Sequence, residues 1–268
     1  AIVRKLEGKV AAANTDLSRF DARSSDPGRE LEKQLYLRAF NQEHRGFVLS
    51  ALDATYELKA IMPDGYCYDT DQTLVTGKPQ TSLMGSTQNA FMAYYSWRET
   101  VCLITKQKYT HKEAMKRLGI YLGDDGVNAK GPFDGNVDFS AGAKAFGHKM
   151  DISWVNEGEV GVTFLSRYYT ENVWTGAPDN CCDIIRQLSK IHTTVNMPPG
   201  TTAEQKLYEK ALAYVLMDGN TLVIGDYCRK VVELCTREGV RRIPDAVREQ
   251  MLNAGFMLSF YAQYPCED

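Results

Sequence analysis

The chain is 268 residues long, 44% hydrophobic and 24% charged, an ordinary globular composition that supports a sizeable core in one domain or two closely joined ones. A net charge of −3 excludes a protein that is basic over its whole surface, so any nucleic-acid groove has to be basic locally. No apolar run approaches the roughly 18 residues of a membrane span, and no secretory signal is recognisable. The seven cysteines form no CxxC pair, so reduced structural thiols in a cytosolic setting are expected rather than a zinc site.

The chain opens on alanine (AIVRKLEGKV) and is expected to be a fragment or a processed piece. GKVAAANTDLSRFDA (8–22) begins as a short strand and ends in a polar turn. Residues 26–58 read as helix, because Pro27 suits a first turn and Leu31, Leu35, Leu37 and Phe40 recur at near-helical spacing. MPDGYCYDTDQTLVTGKPQ (62–80) carries a Pro-Asp-Gly turn and the alternation of a hairpin. Residues 81–103 have no proline and the apolar period of a buried helix, and KEAMKRL (112–118) predicts a short charged helix.

GIYLGDDGVNA (119–129) reads as strand, tight turn, strand. A helix over 138–148 and a strand over 149–155 follow, then VGVTFLSRYYT (160–170), rich in β-branched and aromatic residues, as another strand. Past Pro178 four helical segments are separated by Gly or Pro breaks, so mixed strands and helices give way to an all-helical unit. The fold class expected is α+β.

Asp124 and Asp125 pose a problem. Neighbouring carboxylates in a turn between apolar strands repel each other and lose hydration, which costs several kcal/mol unless a cation compensates. A bare Gly-Asp-Asp is also a plain hairpin turn, since Asp-Gly is a favoured turn pair. TDLSRFDA supplies Asp16 and Asp21, so Asp16 joins Asp124 and Asp125 as a third hard oxygen ligand. Three such carboxylates can hold two Mg²⁺ ions, which together activate an attacking hydroxyl and stabilise a leaving oxygen. TGKPQTSLMGSTQNAF adds a Gly77-containing loop running into a helix. Thr81, Gly85 and Asn89 share one face of that helix, whose hydroxyl and amide groups can either read a ribose 2′-OH or be satisfied internally.

Taken together, D-x-x-x-x-D at 16–21, G-x-x-x-T with a later Asn at 77–89, GDD at 123–125 and FLSRYY at 164–169 resemble the palm of a positive-strand viral RNA-dependent RNA polymerase. DLSRFDA, YLGDDGV, TFLSRYY and LAYVLMDGN…IGDYCRKVV are most similar to the replicases of nodaviruses and their relatives, over about residues 10–235.

The resemblance implies a palm with an antiparallel sheet and flanking helices over 1–175, a finger insertion at about 22–75, and a helical thumb over 176–268. It implies template-directed nucleotidyl transfer, with Asp16, Asp124 and Asp125 as ligands to Mg²⁺ or Mn²⁺. Asp21, Gly77, Thr81 and Asn89 fall to the nucleotide and its ribose, Lys149 (with Lys144 second) to the general acid, and Arg167 to the primer strand. The family's usual asparagine position, four residues after the threonine, is here Gly85, so the ribose role passes to Asn89.

The implied partners are RNA template and product, nucleoside triphosphates, and a homo-oligomeric replication complex. That complex stands on a host organelle membrane, the mitochondrial outer membrane in this family, through upstream regions outside this chain. Basic upstream fingers are likewise expected outside it. A reverse transcriptase palm is the enzymatic alternative, opposed by Gly123 and Asp21, because an enzyme that excludes the 2′-OH usually carries a bulky residue at the latter position. A non-catalytic RNA-binding or assembly scaffold is the other, opposed by the retention of Asp16, Asp124 and Asp125.

Overall fold

A computed structural model describes residues 1–20, 25–70, 81–194, 197 and 200–240 of the chain. The described residues form two compact units: those within Ala1–Leu165 and Tyr169–Asp179, and those of Ser166–Tyr168 with Asn180–Val240.

The first unit is organised by β1 (Ala11–Ser18). It is preceded by α1 (Ile2–Leu6) and followed by α2 (Asp26–Ala39), α3 (Arg45–Asp53) and the hairpin β2 (Lys59–Ile61)–β3 (Cys67–Asp69). Next come α4 (Thr81–Glu99), α5 (His111–Arg117), β4 (Ile120–Leu122), β5 (Asp125–Lys130), α6 (Phe139–Ala145), β6 (Lys149–Asn156) and β7 (Thr163–Phe164). The main sheet has the order β4-β5-β1-β6 with every neighbour antiparallel.

Alternation along β1 sends Ala13 and Leu17 into one core, with Met92, Ala93 and Trp97 of α4 and Ala143 of α6. Ala12 goes to the other face, with Val127, Ala129, Val155 and Ile2 and Leu6 of α1. Both faces are covered, which explains the small apolar run AAA where a one-sided strand would alternate with polar residues.

The second unit contains most of β8 (Arg167–Tyr169), β9 (Asn180–Cys182), α7 (Ile184–Ile191), α8 (Ala203–Asp218) and α9 (Ile224–Arg237). Its core joins Cys182, Ile191, Ala211, Tyr214, Ile224, Cys228 and Val231.

Several boundaries depart from the sequence reading. The single helix over 26–58 is two, because Phe40 and Asn41 adopt extended backbone before a short 3-10 turn at Gln42–His44. The hairpin expected over 62–80 begins at Lys59, with Pro63-Asp64-Gly65 at its tip, and its expected part over 71–80 lies outside the described residues. The strand over 160–170 is interrupted: Leu165 and Ser166 both have positive φ, 53° and 60°, a turn without the usual Gly or Asn to announce it. Asn180–Cys182, expected as helix, is strand, and the helix starts after Asp183, whose side chain accepts from Arg186 N–H. The fourth C-terminal helix falls outside the described residues. The six described cysteines are free thiols, and no helix among the described residues is long and apolar enough to cross a membrane.

Candidate active site

The turn between β4 and β5 consists of Gly123 and Asp124, with Leu122 paired to Asp125 across it. Gly123 has φ +61°, which suits a two-residue hairpin loop whose first residue is glycine. β5 pairs with β1 through Thr15–Gly126, and continuing that register by one residue sets Asp16 across from Asp125. On its other side Asp16 pairs directly with Asp151 of β6. Cross-strand partners share a face, so three neighbouring strands present Asp125, Asp16 and Asp151 in a row at one end of the sheet. Asp124, at the exposed tip, stands beside them.

The Asp16 carboxyl is held above the usual carboxylate range, first by partial burial and then by the negative charges of Asp124 and Asp151. Asp151 was not singled out from the sequence. Only the register of β6 on β1 reveals it, although the alternation of KMDISWVN already put it on the solvent-facing side of a strand.

α4 grips the turn. Asn89 Nδ2 donates to the backbone carbonyls of Gly123 (3.1 Å), Asp124 (2.9 Å) and Asp125 (3.3 Å). Ser86 Oγ accepts from Gly123 N–H at 2.9 Å while donating to Ser82 O. A Cβ on Gly85 would come within 2.9 Å of the Phe20 ring and 3.4 Å of Gly123 Cα. Asn89, expected at the ribose, is fully buried here, with its amide nitrogen bonded to the turn. This placement explains the departure at position 85, since an asparagine there would collide with Phe20 and hold α4 off the turn. Thr81 opens α4, one end of the face that Gly85 and Asn89 continue.

The remaining expected residues scatter. Lys149 begins β6 opposite Ser18, is exposed, and lies 3.8 Å from Asp151. Lys144 is exposed in the last turn of α6. Arg167, expected at the primer strand, is engaged within the second unit. Its guanidinium makes a bidentate pair with the buried Asp218, at 3.1 and 2.9 Å, and its Nε donates to Asn180. Asp21 and Gly77 lie outside the described residues.

Among the described residues no three His, Cys, Asp or Glu side chains form a finished metal-ligand set, so the cage expected from Asp16, Asp124 and Asp125 is not closed. The donor chemistry nevertheless fits Mg²⁺ or Mn²⁺. The groups gathered here are hard carboxylate oxygens, and the raised Asp16 marks surplus negative charge that a divalent cation would relieve.

The family model for viral RNA-dependent RNA polymerases matches residues 2–233. The chain is similar to the RNA-directed RNA polymerase of Striped jack nervous necrosis virus, 30% identical over 230 residues, which covers 85% of this chain and 22% of that protein. It is 26% identical over 206 residues to the RNA-directed RNA polymerase of Pieris rapae virus, covering 76% of this chain and 19% of the relative. It therefore spans only about a fifth of the length of these relatives. The crystal structure of an insertion-loop deletion mutant of a human picorbirnavirus RNA-dependent RNA polymerase superposes with a TM-score of 0.61 at 15% identity, covering 98% of this chain and 50% of that one. Similarity of sequence and of fold thus agree with the order of motifs, and the chain belongs to the viral RNA-dependent RNA polymerase family.

Proposed function

We propose that this chain is the catalytic core of an RNA-directed RNA polymerase that joins nucleotides on an RNA template. The first unit would serve as a palm with a finger insertion, and the helical second unit as a thumb. The observation that carries the proposal is the acidic end of the sheet, where strand pairing sets Asp16 between Asp125 and Asp151 with Asp124 at the adjoining tip.

Asp16 and Asp124, with Asp125, would hold the divalent cations. Bound there, Mg²⁺ or Mn²⁺ supplies charge neutralisation for the triphosphate and acidifies the attacking hydroxyl. The pairing of β1 with β5 sets the spacing between Asp16 and the turn and so gathers these carboxylates at one end of the sheet. Asp151, directly across from Asp16, adds negative charge on the same face and draws cations to it. Lys149 Nζ would carry the proton that the departing pyrophosphate takes up. Its place on the strand beside Asp16 favours it over Lys144, which stands on α6. Asp21, Gly77 and Thr81 are proposed to read the incoming ribose.

The test is incorporation of labelled ribonucleotide on a homopolymeric RNA template by the full-length protein, with Mg²⁺ or Mn²⁺ and with chelator. Metal-dependent incorporation of only the complementary nucleotide is expected. Absence of any templated incorporation by a well-folded full-length protein would contradict it.

A further inference from the structure

We propose that Gly85, Ser86 and Asn89 of α4 are positioning residues that fix the Gly123–Asp125 turn relative to Asp16. The inference rests on the acidic end being the metal site. A hairpin tip is ordinarily a mobile part of a sheet, and this one carries two of the carboxylates that must stand at a fixed distance from Asp16 on the neighbouring strand. Something has to hold it in place.

Three features of one helix face do so. Asn89 offers its amide to three successive carbonyls of the turn. Ser86, one turn earlier, takes the Gly123 N–H, so both backbone polarities of Gly123 are tied to α4. A Cβ on Gly85 would lie 2.9 Å from the Phe20 ring and 3.4 Å from Gly123 Cα, so the bare glycine lets α4 approach both, and Phe20 lies two residues beyond the strand that carries Asp16. A single helical turn therefore touches the two segments whose separation decides whether their carboxylates can share ions.

Asn89 also brings a cost that packing alone does not explain. Its Oδ1 is buried with no hydrogen-bond partner among the described residues. A leucine of similar shape would fill the space without stranding an acceptor. The donor, rather than the volume, is what the site uses.

The test uses the full-length protein with Asn89→Leu and, as a gentler change, Ser86→Ala, beside Asp124→Ala as control. Three quantities are read: nucleotide incorporation, Mn²⁺ affinity from the electron spin resonance of free Mn²⁺, and the melting midpoint without metal. For Asn89→Leu the expected result is a fall in kcat of about a hundredfold, as for misplaced reacting groups. KM for nucleotide should stay within about threefold. Mn²⁺ binding should weaken by about tenfold, with the metal-free melting midpoint level or raised. Ser86→Ala should show the same split at smaller size, and it decides the matter if Asn89→Leu does not fold.

A lowered melting midpoint with unchanged Mn²⁺ affinity and kcat in the folded variants would overturn the positioning role and leave ordinary packing. If Asp124→Ala is inactive while both α4 variants match the parent, only this inference falls. If Asp124→Ala itself retains incorporation, the reading of the acidic end falls and takes the inference with it.

Discussion

Two aspartates that look alike in sequence meet opposite fates in this protein. Asp218, in the second unit, is buried and fully answered: Arg167 binds it through two N–H groups, and Cys182 N–H and the Thr221 hydroxyl donate to it. Burial alone would raise its pKa, yet the Arg167 bonds and charge outweigh that and hold it below the usual carboxylate range. Asp16, at the sheet end of the first unit, stands beside the like charges of Asp124 and Asp151, and these add to partial burial in raising its pKa. Asp218 has an arginine against it, whereas no ion pair to Asp16 is found among the described residues. Structural carboxylates carry their partners with them, whereas ligand-binding ones stand open.

The largest effect should come from deleting an open carboxylate. Asp124→Ala in the full-length protein is expected to lower templated incorporation by about a thousandfold or more, with circular dichroism unchanged. The Arg167→Ala variant tests the other side of the contrast. Leaving Asp218 buried and unpaired should destabilise the second unit by about 3 kcal/mol or more in urea unfolding, because an uncompensated buried charge is the costly outcome. A loss below 1 kcal/mol would mean that the pair is as inconsequential as a surface bridge.

The two sites also predict pH dependences of opposite sign. Asp218 has a lowered folded-state pKa, so its contribution to stability is present above the ordinary carboxylate range and is lost as pH falls through its folded value. Asp16 has a raised one, so its contribution is present below the ordinary range and is lost as pH rises through the raised value. Relative to the parent, metal-free Asp218→Asn should therefore be less stable at neutral pH, with the gap closing in acid. Metal-free Asp16→Asn should be level or slightly more stable at neutral pH, with any gain vanishing in acid. Urea unfolding of both variants across the acid range checks the signs.

Much of this arrangement was legible from residues alone. The strand–turn–strand at 120–130 follows from Gly123 and the apolar alternation around it, and the helix at 81–99 from its period. What the sequence concealed was partnership. Nothing local distinguishes Arg167 as the counter-ion of a residue 51 positions away, so a strand arginine in FLSRYY read as a phosphate contact. Asn89 read as a ribose contact because helical spacing shows which residues share a face, not whether that face is buried. Asp151 became visible only when β6 was seen to lie against β1 in register. The break at Leu165–Ser166 had no glycine to mark it, and positive φ in such residues is set by tertiary context.

The central claim is that the acidic end is open because a divalent cation belongs there. Thermal unfolding of the full-length protein and its Asp16→Asn variant, each titrated with Mn²⁺, tests this most directly, since a ligand that binds only the folded state raises its stability by about 2.7 kcal/mol at a hundred times Kd. The parent's melting midpoint should climb with Mn²⁺ while that of Asp16→Asn, which starts level or slightly higher, stays nearly flat. Equal climbs in both proteins, or none in the parent, would contradict the account.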